Sequence, residues 1–459
     1  MGIAILVLAL VIELAFAVIC LTTKSSQKRI RSIIYLASLA VFGLAVIVKV
    51  VDYSFRWTSL LFLLLIQAIV ALAFFIKRSS PLIPFKTSRA ILLLVFRSLL
   101  MVAVLIPVIL FPQYEPLTVS GPAAVATYSE TLTDTSRSEG YGTTDENRRI
   151  TIQFWYPATA AQDIDYPLVV FSHGAFGFRG SNYSTFAELA SHGYVVCSID
   201  HTYHSFFTKQ TDGRTTIVDL NFMNDAIAVT NQDYDEAKTY ELTQTWLDLR
   251  VADMNFVLDT ILDQVATSAA SDAANSTAAE SADTAAAGHA STPAADVYSL
   301  IDTQKIGLFG HSMGGATSAA LGRERNDIDA VIILDGTMLG EAVDFQDGAE
   351  VLNQEAYPVP LLDVFAEDHY NQALANPESY ANMVAGKNGL DTRRTVIYGS
   401  GHLNFTDLPL FSPALAKQLG TGTIDPRFCI ETMNHIVLEY FDTYLKGDAM
   451  LDVRDEYRG

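Results

Sequence analysis

Cysteine is scarce in this sequence. Cys20, Cys197 and Cys429 are the three among 459 residues, too few for a disulfide framework, and no Cys-x-x-Cys pair offers a zinc or redox site. Charge is thin as well, at 18% of the chain, and its signs are unevenly spread. Residues 1–112 hold only two acids, Glu13 and Asp52, beside eleven Lys and Arg, a net of +9. The remainder, with 19 basic and 49 acidic residues, carries −30. So acidic a surface repels phosphate, which excludes nucleic acid as its partner. Residues 266–296 contain no Lys, Arg, Phe, Tyr or Trp. They bury too little apolar surface to offset ordering, so they read as a flexible excursion, with alanine runs that favour transient helix.

What is abundant is grease, half the chain by composition. It gathers in four runs at 2–22, 33–51, 57–76 and 90–111, each near the ~20 residues a helix needs to cross ~30 Å of hydrocarbon. A signal peptide explains only the first run, which lacks a basic start and is interrupted by Glu13. Four spans are therefore expected. Lys24, Lys28, Arg29 and Arg31 fill the first connection, and Lys77, Arg78, Lys86 and Arg89 the third. The positive-inside rule puts both in the cytoplasm, and the N-terminus and everything after Pro112 outside. Glu13 and Arg97 are charges well inside spans one and four, expected as an ion pair joining them, or with Arg97 snorkelling. No proton relay or transport path is visible.

After a linker over 113–149, short β-rich runs alternate with helical stretches from 150 to 446, and 447–459 reads as a tail. Strands are expected at 150–156, 168–171, 194–199, 305–309, 330–334, 360–365 and 395–398. Helices are expected at 183–192, 242–262 and 426–445. The alternation predicts an α/β fold, a mostly parallel sheet covered by helices. An all-α four-helix membrane region precedes it.

The strongest motif is Gly310-His311-Ser312-Met313-Gly314-Gly315, after the apolar strand 305–309 and before a helix opening at Ala316. A Gly-x-Ser-x-Gly in that setting is a nucleophile elbow, a turn so tight that the serine hydroxyl stands clear at the end of the sheet. A serine needs a base, and the base a carboxylate to orient it. The histidines after Ser312 are His369, His402 and His435. His402 directly follows the last strand, His435 falls in the final amphipathic helix, and His369 has no second argument. For the acid, Asp335 ends strand 330–334, while Glu367 and Asp368 follow the next strand; position alone leaves both open. An oxyanion hole takes one amide from Met313 and a second from the loop Ser172-His173-Gly174-Ala175, at Ala175. His201 and His204 stand three apart but leave a strand without a matching acid or thiol, so metal binding is not expected.

These residues resemble the platelet-activating-factor acetylhydrolases of the secreted and type II kind, within the α/β-hydrolase superfamily, over roughly 150–446. The likeness rests on Val169-Val170-Phe171-Ser172-His173-Gly174, Leu189-Ala190-Ser191-His192-Gly193-Tyr194, the elbow through Thr317, Leu334-Asp335-Gly336 and Gly399-Ser400-Gly401-His402-Leu403-Asn404-Phe405-Thr406-Asp407. It implies that Asp335 is the acid, that no metal or organic cofactor is needed, and that short-chain or oxidised acyl esters of phospholipids are cleaved. The four spans and the Ala/Ser insertion depart from that family, as does Asp200-His201-Thr202-Tyr203. Polyester and dienelactone-type esterases share parts of the pattern. A sensor or transporter with a hydrolase-like binding domain is the reading from another class, and an ordered Ser, acid and His argue against it. The acidity of the outer domain favours neutral or zwitterionic esters over anionic ones.

Overall fold

The computed structural model describes residues 2–76, 85–142, 146–159, 165–279, 297–447 and 451–459. Its contacts divide the chain into two compact units, Met1–Glu115 with Leu410–Gln418 and Pro116–Pro409 with Leu419–Gly459.

In the first unit, four helices form where the apolar runs lie: α1 (Gly2–Thr23), α2 (Lys28–Ile47), α3 (Phe55–Ile76) and α4 (Thr87–Leu110). Each is long and apolar enough to cross a membrane. Their packed seam is narrow, built on Trp57, Leu60, Leu64, Leu105 and Val108. Most other large apolar side chains, among them Leu8, Phe62, Ile69 and Leu92, face outward. A helix that is apolar all round and unburied by protein has found no aqueous solution to its exposure. One expectation is corrected here. Glu13 pairs with Arg31, not Arg97. Arg31 stands in the first turn of α2, where its long side chain reaches inward and lays its guanidinium 3.6 Å over the Phe16 ring, three residues along α1 from Glu13. Lys77 and Arg78 lie outside the described residues.

The second unit is built on a sheet. In chain order its strands are β1 (Val125–Ser138), β2 (Asn147–Pro157), β3 (Tyr166–Ser172), β4 (Val195–Asp200), β7 (Ile301–His311), β8 (Ala330–Leu334), β11 (Leu361–Ala366), β12 (Thr392–Tyr398) and β13 (Glu456–Arg458). Two small hairpins, β5–β6 (Phe207–Lys209, Thr215–Ile217) and β9–β10 (Ala342–Gln346, Ala349–Leu352), stand apart. Among the described residues the large sheet has nine strands in the order β1-β2-β4-β3-β7-β8-β11-β12-β13. β2 pairs antiparallel with both of its neighbours, β1 and β4. From β4 onward every pairing is parallel. Parallel strands covered on both faces read as continuous apolar runs rather than alternating ones. Val169, Val170 and Phe171 of β3 and Leu308 and Phe309 of β7 are accordingly buried.

Three boundaries differ from expectation. The linker 113–149 contains β1, whose Thr, Ser and Glu residues hide it from a hydrophobicity reading; its pairing with β2 alone makes it a strand. The tail 447–459 supplies β13, three residues paired on the edge of β12. The excursion begins as helix: after α5 (Tyr183–Ser191) and α6 (Leu220–Thr230), α7 runs Glu236–Ala279, because alanine carries the lowest helix cost of any residue. Residues 280–296 of that insertion lie outside the described residues.

Candidate active site

The elbow is sharper than the sequence indicates. β7 runs on to His311, and the helix α8 (Met313–Glu324) opens at Met313, not Ala316, so Ser312 alone makes the turn. Its φ is 55° and ψ −124°, a conformation costing a non-glycine residue about 1–3 kcal/mol. What holds it there is close packing. A Cβ on Gly314 would lie 1.9 Å from the carbonyl oxygen of Ser172, so only glycine lets the first turn of α8 approach β3. The Ser312 amide donates to the Leu334 carbonyl at 2.9 Å, tying the elbow to the end of β8.

Asp335 follows Leu334 directly, and it too has a positive φ, 50°. Its amide is held by Val364 of β11. Its Oδ1 accepts from the Ala366 amide at 2.6 Å, and its Oδ2 lies 2.6 Å from His402 Nδ1 and 2.9 Å from His369 Nδ1. Burial alone would push this carboxyl up. The hydrogen bonds from His369 and His402, with the two imidazoles' charge, outweigh it and hold Asp335 well below the usual carboxylate range. His369 is raised in turn, first by its hydrogen bond to Asp335. Both imidazoles offer Nδ1 to the same oxygen at hydrogen-bond distance. Asp335, His369 and His402 thus bring two imidazole nitrogens and a carboxylate oxygen within 4.8 Å of one another, with both nitrogens on the carboxylate.

His402 opens the 3-10 turn His402–Phe405, and the rest of its motif explains how the turn is fixed. Asn182 donates to the Phe405 carbonyl at 2.7 Å, the Asp407 amide donates to Ser181, and Asp407 accepts from the Ser184 amide and hydroxyl. The N-terminus of the helix Tyr183–Ser191 thus clamps the histidine turn. His311, next to Ser312, packs its ring tilted against that of His402, 4.5 Å between centroids, with its Nε2 3.0 Å from the His402 carbonyl. Burial pulls His311 down to about 3, so it is neutral and its ring N–H donates to that carbonyl.

Asp407 is buried, which raises its carboxyl to about 6 despite the two Ser184 bonds. A carboxyl raised on folding contributes stability that is complete below its unfolded value, near 3.8, and is lost as pH climbs through about 6. Between pH 4 and 7 the wild type should therefore lose about 2–3 kcal/mol relative to Asp407→Asn, two pKa units being worth roughly that much. Urea midpoints across this range check it; parallel pH curves for the two proteins would contradict it.

The glycine loop lies against the nucleophile. A Cβ on Gly174 would sit 3.1 Å from the Cβ of Ser312 and 2.8 Å from His311 Nδ1. Among the described residues the amides of Ala175 and Met313 have no acceptor, and the two residues share one apolar cluster.

A network the sequence does not advertise supports this loop. Arg250 donates to the His173 carbonyl and to His204 Nδ1. His173 Nε2 meets Ser205 Oγ at 2.8 Å, and His201 bridges Ser172 Oγ and Asp253. Asp253 also takes two bonds from Arg148, at 3.0 and 2.6 Å. Burial would raise Asp253, but Arg148 dominates and holds it far below the usual range. Burial likewise pulls His201 down to about 4. His201 and His204 are thus neutral struts facing a carboxylate, an arginine and Tyr141. Chain separations of 29 to 105 residues leave no local signal for such a network. Asp253→Asn leaves Arg148 buried and half-paired, so the second unit should lose about 3–5 kcal/mol. A loss under 1 kcal/mol in denaturant unfolding would contradict the network's role.

Of the residues expected at the site, His402 and Asp335 meet directly, while Ser312 is tied by its amide to Leu334, the residue before Asp335, and its neighbour His311 packs against His402. Asp368 is exposed, and Glu367 instead accepts from the Gly399 amide at 2.8 Å. His369 on Asp335 was not anticipated; it lies 34 residues away in sequence, with no periodicity to announce it. His435 is on the helix Pro426–Phe441, facing Glu439.

A mostly parallel sheet in this strand order, with a strained serine between strand and helix, defines an α/β-hydrolase fold. The sequence profile of the family described as platelet-activating factor acetylhydrolase, isoform II, matches residues 154–456, and the chain belongs to that family. The chain is similar to the platelet-activating factor acetylhydrolase of Bos taurus, 25% identical over 296 residues, covering 61% of this chain and 57% of the bovine protein. With that of Gallus gallus it shares 24% over 306 residues, 62% of this chain and 65% of the chicken protein. The chain thus spans less than two thirds of the length of these relatives. Among solved structures, a ferulic acid esterase from Streptomyces cinnamoneus superposes with a TM-score of 0.53 at 21% identity, covering 74% of this chain and 96% of that one. That likeness concerns the fold.

Proposed function

We propose that the chain is a membrane-anchored serine ester hydrolase. Ser312 Oγ attacks the ester carbonyl while His402 Nε2 takes its proton. The amides of Ala175 and Met313 receive the negative charge of the tetrahedral intermediate. Collapse expels the alcohol, which takes the proton back from His402 and leaves an acyl-serine. Water, deprotonated by the same imidazole, then releases the carboxylic acid and restores Ser312. Asp335 keeps His402 in the tautomer with Nδ1–H and stabilises the imidazolium. The observation that carries this reading is the 2.6 Å contact between His402 Nδ1 and Asp335 Oδ2, beside a serine held at φ 55°.

Short-chain or oxidised acyl groups of zwitterionic phospholipids are the proposed substrates. Family membership supports the acyl and headgroup class, and the net charge of −30 after residue 112 supports the preference for uncharged surfaces. The four apolar helices are proposed to span the cell membrane with the N-terminus and catalytic unit outside, on the distribution of basic residues. Release of acetate and short diacids from sn-2-substituted phosphatidylcholines, against long-chain and polyester substrates, tests the specificity. A rate that rises with chain length, or equal turnover of polyester, would overturn it. Labelling of intact cells with a membrane-impermeant fluorophosphonate tests the sidedness; labelling only after lysis would reverse it.

A further inference from the structure

The four-helix unit carries an open cavity of about 370 Å³ with no part in the reading above. Its charge is unusual for an apolar helical unit. Lys28, Arg31, Lys86, Arg89 and Arg97 line it against one carboxylate, Glu13. Arg31 is 6% and Glu13 7% exposed, and although they pair, Arg31 Nε and Glu13 Oε2 remain buried without a hydrogen-bond partner. Among the described residues Lys28, Lys86, Arg89 and Arg97 have no carboxylate partner. A buried, partly satisfied arginine facing a space with four more cations is expensive to leave unfilled.

Two further features have the same sign. The cavity takes in the first residue of α2 and the residue preceding α4, and neither helix has a side-chain cap at that end. Uncapped helix N-termini present free amides and positive dipole ends to anions. The remaining walls are apolar, with Phe16, Val70, Phe74, Leu93 and Leu94. The combination asks for a ligand with a compact anionic head and a hydrocarbon body. A tetrahedral phosphate satisfies several arginine and lysine donors at once, and acyl chains match the apolar walls and outward faces.

We propose that this cavity binds the phosphate of an anionic phospholipid, with its acyl chains along the helices. The site is independent of Ser312 and recognises a lipid class the acidic catalytic unit disfavours. The lipid here is a bound component of the helical unit, not the substrate. The inference rests on the proposed insertion of the four helices into a membrane.

The test uses the full-length protein in lipid nanodiscs and in detergent. Incorporation into phosphatidylcholine nanodiscs checks insertion by itself. Native mass spectrometry in detergent then compares retained phosphatidylglycerol with phosphatidylcholine, and inorganic phosphate is titrated as a competitor. Phosphatidylglycerol should be retained preferentially, and Arg97→Gln and Lys86→Gln should each weaken it about fivefold, with p-nitrophenyl acetate turnover unchanged as a check on folding. Equal retention of the two lipids, or variants that bind as the wild type does, would overturn the proposal. Displacement of the lipid by inorganic phosphate at micromolar concentration would contradict the lipid assignment and name a soluble anion instead. Failure to enter phosphatidylcholine nanodiscs would refute the membrane reading on which the site depends.

Discussion

Ser312→Ala is expected to lower ester hydrolysis by about a millionfold, the size of effect seen when a triad serine is removed alone. Ser312 is the sole serine standing at the strand–helix elbow, and its positive φ has no structural benefit that alanine would forfeit. Removing the hydroxyl leaves the Ser312 amide bond to Leu334 and the Gly314 approach to β3 intact. Stability should therefore hold within about 0.5 kcal/mol while turnover of p-nitrophenyl acetate or butyrate falls to the residue supplied by the oxyanion amides. Unchanged stability joined to near-complete loss separates a nucleophile from a packing residue. Turnover that survives the substitution would remove Ser312 from the mechanism.

Asp335→Asn is expected to cost about ten-thousandfold in kcat, because an amide facing Nδ1 stabilises the wrong imidazole tautomer. Asp335 has a second duty, to the Ala366 amide and His369, so some destabilisation should accompany the loss. The control is Asp368→Asn. Asp368 is exposed and belongs to the first turn of the helix Glu367–Ala375, so its neutralisation should change kcat by less than about twofold. His369→Asn falls between: it removes one of the two imidazoles holding Asp335 ionised, together with the ring that packs edge-on 5.4 Å from His402. A larger loss at Asp368 than at Asp335 would mean that the acid has been misplaced.

The elbow was legible because its chemistry is local. A short strand ending Ile306-Gly307-Leu308-Phe309, a Gly-x-Ser-x-Gly and a following helix lie within a dozen positions, and strain at Ser312 is what those glycines permit. The four apolar helices were legible for the same reason, each a single run. The partner of His402 was not, since Asp335 and the Glu367-Asp368 pair each end a strand, and position could not rank them; the resemblance did. β1 was illegible because a polar edge strand is defined by its pairing with β2, not by its own residues. The Glu13 partner is hidden in the sequence because the apolar run starts at residue 33 and leaves Arg31 among the basic residues of a connection, whereas α2 begins at Lys28. The network of Arg148, Arg250, Asp253 and three histidines draws on β2, the loops after β3 and β4, and α7, contacts that only the folded sheet brings together.

The most direct test of the hydrolase reading is to treat the full-length protein with a fluorophosphonate and map the adduct by peptide mass spectrometry. One phosphonyl group is expected, on Ser312, formed at a rate that a short-chain phosphatidylcholine slows by competition and that Asp335→Asn lowers in parallel with turnover. An adduct on another serine, or hydrolysis that continues undiminished in fully modified protein, would contradict it.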